Sequence, residues 1–206
     1  MKLVVGLGNP EPKYSKTRHN LGFRLIDELA KRHAGEGPET LCNGAVRRTS
    51  VGGSDCLLVR PLTYVNDSGQ CVRSLMQLKD CSREELIVAC DDLVLPLGAI
   101  RVRRSGSSGG QKGLASVEQC LESRDYARLR MGIGPKPEQV SARDFVLSCF
   151  EEREDEAVRQ MIQTAADAVE TWMREGIEAC MNSYNRPLPA EEPTDRPNGS
   201  VLGDKA

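Results

Sequence analysis

The 206-residue chain carries 28 Lys and Arg against 30 Asp and Glu, a formal charge of −2, with 39% hydrophobic residues. That length suits one domain with a full core and at most a tail, and the near-neutral balance excludes a uniformly basic nucleic-acid binder. The chain shows no amino-terminal signal pattern and no apolar run of membrane-spanning length, so a soluble protein of the reducing cytoplasm is expected.

Leu3, Val4 and Val5 form a short apolar run ended by Gly6 and Gly8, which predicts a buried strand stopping at a tight turn. After Asn20 the apolar residues Phe23, Ile26, Leu29 and Ala30 fall at helical spacing. The loop between them holds Asn9 and His19, one of only two histidines. In an open α/β sheet such a strand-to-helix loop is where the ligand crevice lies. His19 is either a structural filler of this junction or a titrating group. Its dense polar neighbours and near-neutral pKa favour the second.

Residues 34–44 read as loop, and residues 45–51 and 55–61 as a hairpin turned at Gly52-Gly53. Asn66 then leads into a helix whose apolar face is Val72, Leu75, Met76 and Leu78. Leu86 to Ala89 is a continuous apolar run, expected of a strand covered on both faces, and it stops at Cys90-Asp91-Asp92. Asn9, Asn66 and Asp91 are thus three polar groups at strand ends. They converge if those strands are parallel neighbours, and the intervening lengths leave room for helical crossovers.

From Ala99 to Arg104, apolar Ile100 and Val102 alternate with Arg101 and Arg103, predicting a half-exposed strand. A Gly-rich loop over residues 105–113 precedes a helix carrying Leu114, Val117 and Leu121. The loop suits anion contact but fails the nucleotide P-loop spacing, because Gln111 stands where the second Gly belongs. No nucleotide cofactor is expected. Residues 127–134 predict a further strand with Leu129, Met131 and Ile133 on one side and Arg128 and Arg130 on the other. Residues 97–137 hold eight Lys or Arg against three acids, a block of +5 on a neutral protein.

Phe145, Val146, Leu147 and Phe150 make a small apolar patch on a flap, followed by a long helix over residues 154–174 with Trp172 and its Met residues in the core. Four prolines and scattered charges predict a disordered tail over residues 186–206, leaving residues 1–185 as the domain. The eight cysteines include no C-x-x-C pair, so no metal site is expected, and those in apolar runs behave as small hydrophobes.

GLGNP followed by TRHN and GF, then RPLTYVNDSG, CDDLVLPLG, GSSGGQKGL and RLRMGIG, resembles in order the signatures of bacterial-type peptidyl-tRNA hydrolases. The likeness covers Lys2 to about Asn185. It implies a single α/β domain with a mixed central sheet and helices on both faces, and an enzyme that cleaves the ester between a peptide and its tRNA without a cofactor. It implies His19 as catalytic base, Asp91 as its orienting group, and Asn9 and Asn66 as substrate-positioning amides. Tyr14, Tyr64, Lys112, Arg103 and Arg130 complete the substrate- and tRNA-binding candidates, with Arg101 and Arg128 as further phosphate contacts. A monomer is expected. The chain departs from the family pattern at Lys112, where an asparagine is common, and at Glu11, Val65, Cys90 and Val94. The alternatives are a covalent mechanism through Cys90, and a catalytically inactive RNA-binding module on the same fold.

Overall fold

The computed structural model describes residues 1–185; the tail expected over residues 186–206 lies outside them. The strands are β1 (Lys2–Gly6), β2 (Glu39–Leu41), β3 (Gly44–Val51), β4 (Ser54–Pro61), β5 (Leu86–Pro96), β6 (Ile100–Arg103) and β7 (Ala127–Gly134). The helices are α1 (Leu21–Arg32), α2 (Ser68–Lys79), α3 (Lys112–Leu121), α4 (Ala142–Val146), α5 (Asp155–Glu175) and α6 (Ile177–Tyr184). Among the described residues, all seven strands join one mixed sheet in the order β2-β3-β4-β1-β5-β7-β6. Within it β4, β1, β5 and β7 are parallel, and the outer strands pair antiparallel.

Strand alternation sends successive side chains to opposite faces, and here both faces are covered. Val4, Leu58, Ile87 and Leu129 pack against α1 and α5, around Leu25, Ile162 and Trp172. Leu3, Val5, Leu57 and Val88 pack against α2 and α3, around Val72, Leu75 and Leu114. That double covering is why the central strands read as unbroken apolar runs.

The close fit of α1 to the sheet depends on two glycines. A Cβ at Gly6 would lie 2.1 Å from the Gly22 carbonyl oxygen, and one at Gly22 would lie 2.3 Å from the Leu7 nitrogen. Backbone therefore meets backbone there, and the start of α1 is drawn against the end of β1 and against β5 at Ala89. The predicted adjacency follows, because β1 pairs in parallel with β4 on one side and β5 on the other. Asn9, Asn66 and Asp91 accordingly arise from three neighbouring strands.

Several elements differ from expectation. β5 does not stop at Cys90 but continues to Pro96 along β7, with an irregularity between Asp92 and Pro96. Its pairing with β1 ends at Gly6 opposite Ala89, so Asp91 lies beyond the reach of β1 within a longer strand. The stretch read as loop over residues 34–44 contains β2, a three-residue addition to the edge of β3. Helix α6 follows α5 after Gly176 and went unpredicted. Leu78 is 55% exposed and does not belong to the buried face of α2. The aromatic patch is not separate from the core either, since Phe145 is buried and Phe150 packs against the same cluster as α5.

Candidate active site

His19 sits in a single 3-10 turn, Arg18–Asn20, between the loop after β1 and the start of α1. Its side chain is 10% exposed and that of Asp91 3%, and His19 Nδ1 lies 2.9 Å from Asp91 Oδ1. A carboxylate accepts, so Nδ1 carries the proton and Nε2 is left as the basic nitrogen. Burial acts to lower the His19 pKa, the hydrogen bond and charge of Asp91 more than offset it, and Lys112 pulls part of the way back; the net result lies above the ordinary 6.5.

Asn9 is 7% exposed, and its Oδ1 accepts from the Val65 N–H at 3.0 Å. That bond ties the loop after β1 to the loop after β4. It also turns the amide so that Nδ2 remains an uncommitted donor among the described residues. The backbone of Asn9 is gripped by Asn20, whose Oδ1 accepts from Asn9 N and whose Nδ2 donates to Asn9 O, both at 2.9 Å. Asn20 lies beside His19 in sequence, so one short segment positions both the imidazole and the free amide.

The remaining candidates form a rim. Asn66 is exposed, with Nδ2 donating to Asp67 at 3.2 Å. Tyr64 is 52% exposed and its phenol donates to the Glu11 carboxylate, which also holds Lys13 at 2.6 Å. Tyr14 is half-buried under the Lys13 ammonium, 4.9 Å from its ring centroid. Lys112 begins α3, is exposed, and makes no hydrogen bond or ion pair among the described residues.

The basic candidates divide. Arg101 and Arg103 project from β6, exposed and without partners among the described residues. Arg130 is already engaged, with Nη1 on Asp92 at 3.0 Å and Nη2 on the Ser107 and Ser108 carbonyls at 2.9 Å. Arg128 is not a surface cation: it is 1% exposed, donates to the carbonyls of Gly106, Arg124 and Tyr126, and stacks 4.3 Å over the Tyr126 ring. The alternation on β7 points these side chains toward α3 and the Gly-rich loop, where protein covers them.

Three residues of the site lie inside the quoted motifs, yet nothing in the sequence shows what their side chains hold. Asn20 is one. Gln111, the N-cap of α3, donates from Nε2 to Asp91 Oδ1 at 3.1 Å. Arg18 is buried between the Phe145 and Phe150 rings, 4.7 and 4.5 Å from their centroids, and paired with Glu154. Arg18 also donates its backbone N–H to Ser148 O at 2.9 Å, so the α4 segment is fastened beneath the His19 turn. Cys90 is fully buried on the opposite face, where loss of water pushes its thiol pKa up and opposes a nucleophilic thiolate.

Residues 3–193 match the profile of the peptidyl-tRNA hydrolase family. A protein of Syntrophomonas wolfei named peptidyl-tRNA hydrolase is 45% identical over 90% of this chain and 100% of its own length. One of Rhodopirellula baltica with the same name is 44% identical over 90% and 97%. The fold is similar to a crystal structure of peptidyl-tRNA hydrolase from Acinetobacter baumannii, with a TM-score of 0.84 and 30% identity over 90% of this chain and 94% of that one. The relatives carry the name of the hydrolase, and an inactive RNA-binding module has no support among them. With its ordered motifs, mixed sheet and His19–Asp91 pair, the chain belongs to the peptidyl-tRNA hydrolase family.

Proposed function

We infer that this chain hydrolyses the ester linking a peptide, or an N-blocked amino acid, to the terminal ribose of tRNA, returning free tRNA to translation. The observation that carries this is the His19–Asp91 contact, with Asn9 Nδ2 left as a free donor among the described residues on the loop that leads to His19. Water attacks the ester carbonyl carbon while His19 Nε2 takes its proton, and Asp91 supports the imidazolium through Nδ1–H. The carbonyl oxygen gains negative charge and is met by donors that include Asn9 Nδ2. The bond to the ribose oxygen then breaks, the imidazolium returns its proton to that oxygen, and acid and tRNA leave.

Asn66, Tyr14, Tyr64 and Lys112 line the peptide and acceptor end. Arg103 meets the phosphate backbone, and Arg130 supports that face by holding the Gly-rich loop. Recognition is by backbone and shape, since only three Phe, four Tyr and one Trp are available to stack on bases. Action as a monomer is part of the same reading. Eight free thiols suit the reducing cytoplasm.

The test is incubation with N-acetyl-aminoacyl-tRNA, following acid release and tRNA binding, with mass spectrometry of the protein during turnover. Release without a protein adduct is expected. Binding without release would return the inactive module to favour, and an acyl adduct on Cys90 would replace the water mechanism.

A further inference from the structure

Asp91 Oδ1 receives two donors from opposite sides of the site. His19 Nδ1 approaches at 2.9 Å and Gln111 Nε2 at 3.1 Å. The other end of the same amide is also committed, because Gln111 Oε1 accepts from the Leu114 N–H at 2.8 Å as the N-cap of α3. Gln111 therefore links the start of a helix rigidly to the carboxylate that orients the imidazole.

A helix cap alone does not call for glutamine. Ser, Thr, Asp and Asn are the favoured N-cap residues, being short enough to bond the backbone two or three residues on. The extra reach of Gln111 is what carries its NH2 group to Asp91. The loop leading into it is anchored as well: Arg130 bonds Asp92 and the Ser107 and Ser108 carbonyls, so adjacent carboxylates of β5 secure both ends of residues 107–111.

We propose that Gln111 is a positioning residue for the His19–Asp91 pair, fixing the rotation of the Asp91 carboxylate that faces the imidazole. The proposal rests on the hydrolase reading of the site and adds a group that does not touch substrate. The charged groups facing His19 are Asp91 from β5 and Lys112 from α3. Arg18 on its own turn is directed to Glu154, Arg24 of α1 lies against Phe150, and Asp144 of α4 is bonded to Ser141.

Two variants separate positioning from capping. Gln111→Glu keeps an acceptor for the Leu114 N–H and sets a second carboxyl at the Asp91 carboxylate, where the two hold one proton between them and ionise fully only at higher pH. The His19 titration, coupled to that shared proton, should then depart from the wild-type curve. Gln111→Ser keeps a short cap that cannot reach Asp91, and kcat should fall about ten-fold with KM unchanged. His19 is followed by NMR, with only two imidazole signals to assign and His19→Ala assigning them. The acid limb of the kcat/KM profile should move with that titration.

If both variants retain the wild-type kcat and His19 titration, Gln111 is a cap and the proposal is overturned. If Gln111→Glu fails to fold, Gln111→Ser still decides. Absence of wild-type turnover would instead sink the hydrolase reading, and the NMR titration of Gln111→Ser, which adds no charge, would still show whether Gln111 acts on His19 through Asp91.

Discussion

In the loop between β1 and α1 and within β5, Asn9, His19, Asn20 and Asp91 are buried and each side chain is held by a protein partner, whereas on β6 Arg101 and Arg103 are exposed and hold none among the described residues. Groups fixed before substrate arrives need little reorganisation as charge develops, so their effect falls on the chemical step. Free cations instead adapt to a phosphate backbone and act through counterion release, so their effect falls on binding and its salt dependence. Arg130 lies between these types, a cation spent on holding the Gly-rich loop.

Four substitutions separate the buried groups from the exposed cations. Asp91→Asn should lower turnover by about 10²–10⁴-fold, because the imidazole loses its charged partner, while tRNA binding is kept. An equal loss of binding would mean the two regions are not separate. Arg18→Ala should destabilise the fold by up to about 3 kcal/mol, the low end for a broken buried pair, since Glu154 retains some solvent contact.

That second effect depends on pH. Burial raises the Glu154 pKa, but its hydrogen bonds, Arg18 first, leave the folded value below the ordinary 4.5. The contribution is therefore fully present above pH 4.5 and is lost as pH falls through the folded pKa. Denaturant melts of wild type and Arg18→Ala should converge in acid. A gap independent of pH would assign Arg18 to packing against Phe145 and Phe150 alone.

Asn20→Ala removes both bonds to the Asn9 backbone and should cost about 1–3 kcal/mol of stability together with part of the turnover. A stability loss with unchanged kcat would show that the placement of Asn9 does not matter to the reaction. The smallest effect is expected from Arg103→Ala. Its tRNA affinity should fall less steeply with salt, by roughly 0.7–0.9 in the logarithmic slope, with kcat unaltered. An unchanged slope would remove Arg103 from the interface.

The buried end was largely legible in the sequence. Three apolar runs stop at polar residues, and parallel adjacency of their strands brings Asn9, Asn66 and Asp91 to one edge. The end of β5 misled because Asp91 and Asp92 are polar, although the strand continues along β7 after leaving β1. The basic edge was only half legible. The alternation of Arg101 and Arg103 on β6 looks the same as that of Arg128 and Arg130 on β7, yet β7 is an inner strand whose arginine side is covered by a loop and α3. Periodicity tells which residues share a face, not what covers it. Asn20, Gln111 and Arg18 were missed because a hydrogen bond to a residue distant in sequence leaves no local pattern. β2 and α6 were missed because three edge residues and eight after Gly176 are too short for a clear period.

Activation of the attacking water is assigned to His19. It is tested most directly by release of N-acetyl-amino acid from N-acetyl-aminoacyl-tRNA, measured for wild type and His19→Ala side by side with tRNA binding followed in both. The expected result is a barrier higher by about 3–5 kcal/mol in the variant with binding retained. Near wild-type turnover by His19→Ala would show that another group activates the water.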